Sequence, residues 1–126
     1  TESKLETILF TSDIAHIRGV TERIVVDERI EEYIVELVTS SRKHGEPRSF
    51  HRYIEFGASP RASIYLYRCA KVRALFDGRG YVVPDDVKAV ARPVLRHRII
   101  PSYEAEAEQL TSTDLVDLLL GTVPVP

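Results

Sequence analysis

The sequence predicts an all-α protein, a small helical bundle with at most a vestigial short strand pair. Apolar residues recur at the helical period over long stretches, as in Ile30, Tyr33, Ile34, Leu37 and Val38. Helix starts and stops are written in capping residues, with Asp27 and Thr111 as starts and Gly45 and Gly78 as stops. The β-branched runs, Ile24-Val25-Val26 and Tyr81-Val82-Val83, are too short for more than a small bridge between them.

Residues 1–10 show no clear period and read as a linker, leaving residues 11–126 as the domain. Thr11 or Ser12 is expected to cap a first helix through about Arg18, with Gly19 as its stop. Asp27 caps a long helix to about His44, whose apolar face ends in Ser41 and which Gly45 and Pro47 terminate. Residues 45–58 form a long connection carrying Arg48, His51, Arg52, Tyr53 and Phe56, expected to pack its aromatics on its own domain and leave its arginines in water.

A central helix follows from Pro60 to about Phe76, with Ser59 as N-cap and apolar residues numerous enough to imply burial on more than one side. Another starts at Pro84, with Asp85 and Asp86 in its first turn, where carboxylates suit the helix dipole. Pro93 should break or kink it near Ala91, Val94 to Ile99 continuing in a new direction until Pro101. Residues 102–110 read as loop or frayed helix. Thr111 and Asp114 form a box-like cap for a last helix from Ser112 to Leu120, before an extended Val123-Pro124-Val125-Pro126.

At 126 residues the chain is one ordinary domain, too short to hold a nucleotide-hydrolysing sheet as well as a helical bundle. Its 44% hydrophobic and 29% charged residues are those of a soluble globular protein. A net charge of −2 argues against a general polyanion binder, although residues 42–98 are basic and both flanks acidic. A single cysteine, Cys69, reads as a small core residue and fits a reducing compartment. With no span-length apolar run and no secretory leader pattern, a cytoplasmic location and no membrane partner are expected. The chain contains no methionine, so a fragment of a longer protein is expected.

The chemistry concentrates at Gly57-Ala58-Ser59-Pro60-Arg61-Ala62. Gly57 and Ala58 leave the backbone open to close approach, and the helix start offers amide donors and a positive dipole end. Arg61 adds a planar, permanently charged fork suited to phosphate. From the residues alone, a well-capped helix with a solvent-facing arginine remains the simpler account. The histidines lack metal-ligand spacing, Ser59 lacks a base, and no phosphate-cradling Gly-x-x-x-x-Gly-Lys-Ser/Thr loop occurs.

Three ordered words, Gly57 to Ala62, Asp77-Gly78-Arg79-Gly80-Tyr81-Val82-Val83-Pro84-Asp85-Asp86-Val87 and Val94-Leu95-Arg96-His97-Arg98, closely resemble the C-terminal lid of MoxR-type AAA+ ATPases. The likeness covers nearly the whole chain. It implies that Arg61 is the sensor 2 arginine, contacting the terminal phosphate of ATP, with Gly57, Ala58, Ser59 and Pro60 close to the nucleotide. It implies a missing N-terminal AAA+ core that supplies the phosphate loop and magnesium acids, so that ATP and Mg2+ serve the full-length ATPase. One arginine and a helix start cannot offset the cost of ordering a triphosphate, so the fragment alone is expected to bind ATP weakly or not at all and to be inactive. The likeness further implies ring assembly with neighbouring subunits, usually as hexamers, and chaperone-like maturation of partner complexes, often with von Willebrand factor A domain proteins. Nucleic acid is not expected as a partner. Val83 departs from the pattern where a hydroxyl cap is usual before Pro84, which puts that helix start in question. His97 is expected to make packing or polar contacts to the neighbouring core. The alternative is a stand-alone helical module binding nucleic acid through its basic middle, or a pure protein-interaction domain.

Overall fold

The computed structural model describes residues 3–43 and 49–126. Residues 3–10 have no regular structure, and Leu5 and Ile8 stand almost fully exposed. Helix α1 spans Thr11–Glu22 and, against expectation, passes through Gly19, since one glycine raises the cost of a helix without forbidding it. Its N-cap is Phe10 rather than Thr11 or Ser12. Phe10 has no side-chain acceptor, but the Asp13 carboxylate accepts its backbone N–H at 2.8 Å. No residue of α1 is buried; it lies on the outside of the central helix.

Helix α2, Glu28–Ser41, starts at Asp27, whose carboxylate accepts the Arg29 N–H at 2.8 Å. Its buried face is Ile30, Tyr33, Ile34, Leu37, Val38 and Ser41, as the period predicts, with Ser40 beside it. It ends three residues before the expected His44, while Gly45 and Pro47 lie outside the described residues. A 3₁₀ turn, Phe50–Tyr53, then leads into strand β1, Ile54–Phe56.

Helix α3, Arg61–Phe76, is the axis of the bundle. Ala62, Leu66, Ala70 and Ala74 form one fully buried stripe, and its three alanines let α4 come close. The flanks are partly buried, with Cys69 and Leu75 against the core, and α1, α2 and α4 all touch α3. Gly78 closes the helix at φ 75°, where glycine carries no steric penalty.

Helix α4, Pro84–Leu95, runs unbroken through Pro93. The expected break at Ala91 does not occur: Pro93 removes one i→i−4 bond, the one to the Ala89 carbonyl, and the helix ends two residues later at Leu95. Residues 96–99 are turns rather than a second helical segment. Strand β2, Ile100–Pro101, pairs antiparallel with β1, Ile54 opposite Pro101 and Phe56 opposite Ile100. That pair was not expected; the expected small bridge is present as well, joining Val25 to Tyr81 in parallel. Within the stretch expected as loop or frayed helix, Tyr103–Ala107 forms the short helix α5, whose N-cap hydroxyl, Ser102, accepts the Ala105 N–H at 3.3 Å.

Helix α6, Ser112–Thr122, starts on the predicted box: Thr111 Oγ1 accepts the Asp114 N–H at 3.2 Å, and Asp114 accepts the Thr111 N–H at 2.8 Å. It passes the expected end at Leu120. Its Leu115, Val116 and Leu119 complete the core with Leu37, Leu66, Val87, Leu95 and Ile99. Among the described residues no helix is long and apolar enough to cross a membrane.

Candidate functional site

The turn into α3 is built on the end of α2. Ser41, 1% exposed, donates its hydroxyl to the Val38 carbonyl at 2.6 Å and accepts the Ala58 N–H at 3.1 Å. Gly57 lies so close to the same place that a Cβ on it would stand 2.2 Å from the Ser41 carbonyl oxygen and 2.8 Å from the Arg42 nitrogen. The surface that approaches this open backbone is therefore α2. Gly57 has no positive φ. Ala58 is fully buried, and beyond it Ser59 and Pro60 return to the surface.

Pro60 already has helical geometry, φ −54° and ψ −25°, and α3 begins at Arg61. The first turn closes through the Ser59 carbonyl, which accepts the Ala62 N–H at 2.9 Å, and the Pro60 carbonyl, which accepts the Ser63 N–H at 3.1 Å. The Ser63 hydroxyl also donates to the Pro60 carbonyl. The expected Ser59 side-chain cap is not among the described hydrogen bonds: its carbonyl does this work, one position earlier than an α-helical bond would require. Ala62 packs inward with no exposure, and Arg61 beside it is exposed without an ion pair among the described residues. A cleft of ≈ 680 Å³ opens next to this turn, with Arg42 and Lys43 on one wall and Phe56, Gly57, Ser59 and Pro60 on the other.

Arg68, two turns along α3, faces a second groove of ≈ 690 Å³ between α1 and α3, which it shares with Arg18 and Lys71. Arg61 does not line that groove, so the two arginines differ in surroundings as well as in position along the helix. Among the described residues no group of histidine, cysteine and acidic side chains could hold a metal ion.

A family model described as "AAA lid domain" matches residues 46–118. The chain belongs to the AAA lid domain family. Over its whole length it is 33% identical to the chaperone MoxR1 of Mycobacterium tuberculosis, covering 34% of that protein. It is 34% identical to the protein MoxR of Methylorubrum extorquens, with 86% of this chain and 34% of that one aligned. A 2.00 Å crystal structure of a candidate ATPase from Cytophaga hutchinsonii superposes with a TM-score of 0.81 at 38% identity, over 91% of this chain and 36% of that one. The domain is a lid of the MoxR-family AAA+ type, and it spans about a third of the length of the curated relatives it matches.

Two further parts of the lid explain its other words. Arg79 grips Asp86 through both guanidinium nitrogens at 2.6 Å and reaches Asp77 at 3.0 Å and the Tyr81 carbonyl at 3.1 Å. Asp86 also accepts the Val83 N–H at 2.8 Å, while the Asp86 N–H, which a hydroxyl at position 83 would accept, goes to the Val83 carbonyl at 3.0 Å. Burial opposes the charge on Asp86, but Arg79 and the Val83 N–H outweigh it and hold the carboxyl below its ordinary value of 3.8. The sequence read Asp86 as a dipole partner; the missed signal was an arginine seven residues upstream across a glycine turn. Second, Arg52 is exposed, as expected, but not idle: it lies 4.3 Å from the Tyr53 ring centroid, donates to the Tyr53 hydroxyl at 2.5 Å and pairs with Glu104 at 3.8 Å. The aromatic Tyr53 is buried as expected, whereas Phe56 is exposed and Arg48 lies outside the described residues.

Proposed function

We propose that this lid closes over ATP held by the AAA+ core of a longer protein and that Arg61 is its sensor 2 residue, reaching the terminal phosphate. The observation that carries the reading is the setting of Arg61: an exposed arginine without an acidic partner among the described residues, first on its helix, on a turn whose backbone is locked to α2. An arginine so placed spends no charge inside the domain and presents its fork to an anion. Gly57, Ala58, Ser59 and Pro60 hold that arginine in place and line or adjoin the neighbouring cleft.

The residues present fit half of a nucleotide site. In this reading magnesium and the phosphate loop belong to the core. Residues 1–10 serve as the linker to that core and residues 11–126 as the lid. The full-length protein assembles with neighbouring subunits into a ring, a hexamer by the family's habit. It hydrolyses ATP in the cytoplasm and acts as a chaperone that matures partner complexes, von Willebrand factor A domain proteins among them. The relative named as a chaperone supports the chaperone part of this reading.

The test is steady-state ATP hydrolysis by the full-length protein. Arg61→Ala should lower turnover about tenfold or more, because a charge-assisted contact to developing charge is lost. Arg61→Lys should recover part of it, since lysine keeps the charge without the fork. Arg68→Ala should leave turnover near wild type. Equal turnover in Arg61→Ala and wild type, or equal damage from Arg61→Ala and Arg68→Ala, removes the assignment.

A further inference from the structure

The word Val94-Leu95-Arg96-His97-Arg98 has no task in the reading above, and the structure brings it to the helix that carries Arg61. Arg98 Nη1 donates to the Val94 carbonyl at 2.6 Å and meets His97 Nε2 at 2.5 Å. Both contacts use the same nitrogen, so one end of the guanidinium is tied to the last turn of α4 and to His97 together. So anchored to the end of α4, the guanidinium lies over Tyr65, its carbon 4.6 Å from the ring centroid. Tyr65 stands one helical turn after Arg61, so the two side chains are neighbours on one face of α3. No carboxylate pairs with Arg61 or Arg98 among the described residues, which leaves the face positive.

Resting on the sensor 2 reading, we infer that Arg98 is a positioning residue for Arg61, acting through Tyr65. Arg98 holds the Tyr65 ring from one side, and the ring with its attached charge limits the rotamers open to Arg61. An arginine at a helix start has wide rotamer freedom, and each excluded rotamer is ordering that need not be done when the phosphate arrives. His97 matters because it fixes the plane of Arg98, which accounts for the His97-Arg98 pair as a unit. A cation on an aromatic ring at a site that is 42% exposed stabilises a fold only weakly. Loss of the contact should therefore appear in catalysis before it appears in melting.

The experiment is ATP hydrolysis by the full-length protein carrying Arg98→Leu, Arg98→Lys, Tyr65→Leu, Tyr65→Phe, Arg61→Ala and the double variant Arg61→Ala/Arg98→Leu, with kcat, KM and melting curves for each. The expected result is a drop in kcat of about fivefold for Arg98→Leu and Tyr65→Leu with KM changed less than about twofold, since misplacement is felt mainly in the transition state. Arg98→Lys and Tyr65→Phe should each retain more activity than the corresponding leucine variant. In the Arg61→Ala background, Arg98→Leu should add nothing, because there is no arginine left to position. Losses that multiply in the double variant show that Arg98 acts by itself and overturn the inference. So does a melting temperature that falls in step with kcat, which marks a merely structural contact. Damage from Arg61→Ala with none from Arg98→Leu overturns this inference and leaves sensor 2 intact, whereas an undamaged Arg61→Ala refutes the sensor 2 reading and this one together.

Discussion

The carbonyl oxygen of Ser41 occupies the space that a side chain on Gly57 would need, 2.2 Å from the ideal Cβ position. The glycine before the proposed phosphate-facing helix is thus required by packing within the lid, not by a left-handed backbone. All three atoms nearest that Cβ are backbone, from Ser41 and Arg42, and cannot rotate away. Gly57→Ala should therefore destabilise the domain by about 2–3 kcal/mol, as overpacking does in a well-filled core. Gly80, with nothing within 4 Å of its Cβ and no positive φ, should accept alanine within about 0.5 kcal/mol. Urea unfolding of the two variants checks the contrast.

Ser41 holds the same junction by its hydroxyl. Ser41→Ala removes the acceptor of the Ala58 N–H while both residues stay buried, so a backbone donor loses its partner away from water. The expected cost is about 1–3 kcal/mol, to be read from denaturant midpoints. Activity of the full-length protein should fall as well, because the turn that carries Arg61 loses its tie to α2.

Arg61→Ala, by contrast, should leave the stability of the isolated lid within about 0.5 kcal/mol of wild type, since the side chain is exposed and unpaired among the described residues. A fall in melting temperature as large as that of Ser41→Ala would show that Arg61 is part of the fold.

What the sequence disclosed follows from how local each signal is. Asp27, Thr111 with Asp114, and Gly78 act within four residues of themselves, so the starts of α2 and α6 and the end of α3 were legible. The β1–β2 pair was not, because it joins Ile54 to Pro101 through only a few residues on each side. Arg61 and its neighbours were found through a family word, but the reason for Gly57 was hidden. It depends on the end of α2, sixteen residues upstream, which only the folded chain brings near. The Tyr65–Arg98 contact was invisible for the same reason.

Tyr33 offers a test of buried polarity. Its side chain is 3% exposed, and its hydroxyl has no partner among the described residues. Burial, with the nearby charge of Asp85, pushes its ionisation upward, so it remains a neutral, unpaired hydroxyl at every working pH. Tyr33→Phe keeps the ring and removes the unpaired group. It should be neutral or stabilising by up to about 1 kcal/mol, and a loss greater than that in thermal or urea unfolding would mean the hydroxyl is bonded.

The Arg79–Asp86 pair sets the acid limit of the domain. Asp86 is 1% exposed, and although its burial works against ionisation, Arg79 and the Val83 N–H bring its folded-state value below the ordinary 3.8. Asp27 and Asp114 shift the same way, chiefly because each accepts a backbone N–H at a helix start, from Arg29 and Thr111. A depressed carboxyl binds fewer protons folded than unfolded, so its contribution is complete above the unfolded value and is lost as pH falls through 3.8 toward the folded one. The melting temperature should accordingly show no loss from these groups between neutrality and about pH 5, then drop below about pH 4. Asp86→Asn should lower stability at neutral pH by about 3 kcal/mol, because Arg79 is left facing a group that cannot answer its charge. It should also make the acid decline shallower, as one of the titrating carboxyls is gone. An Asp86→Asn variant whose stability falls below pH 4 as steeply as wild type would place the acid sensitivity elsewhere, in the helix caps at Asp27 and Asp114.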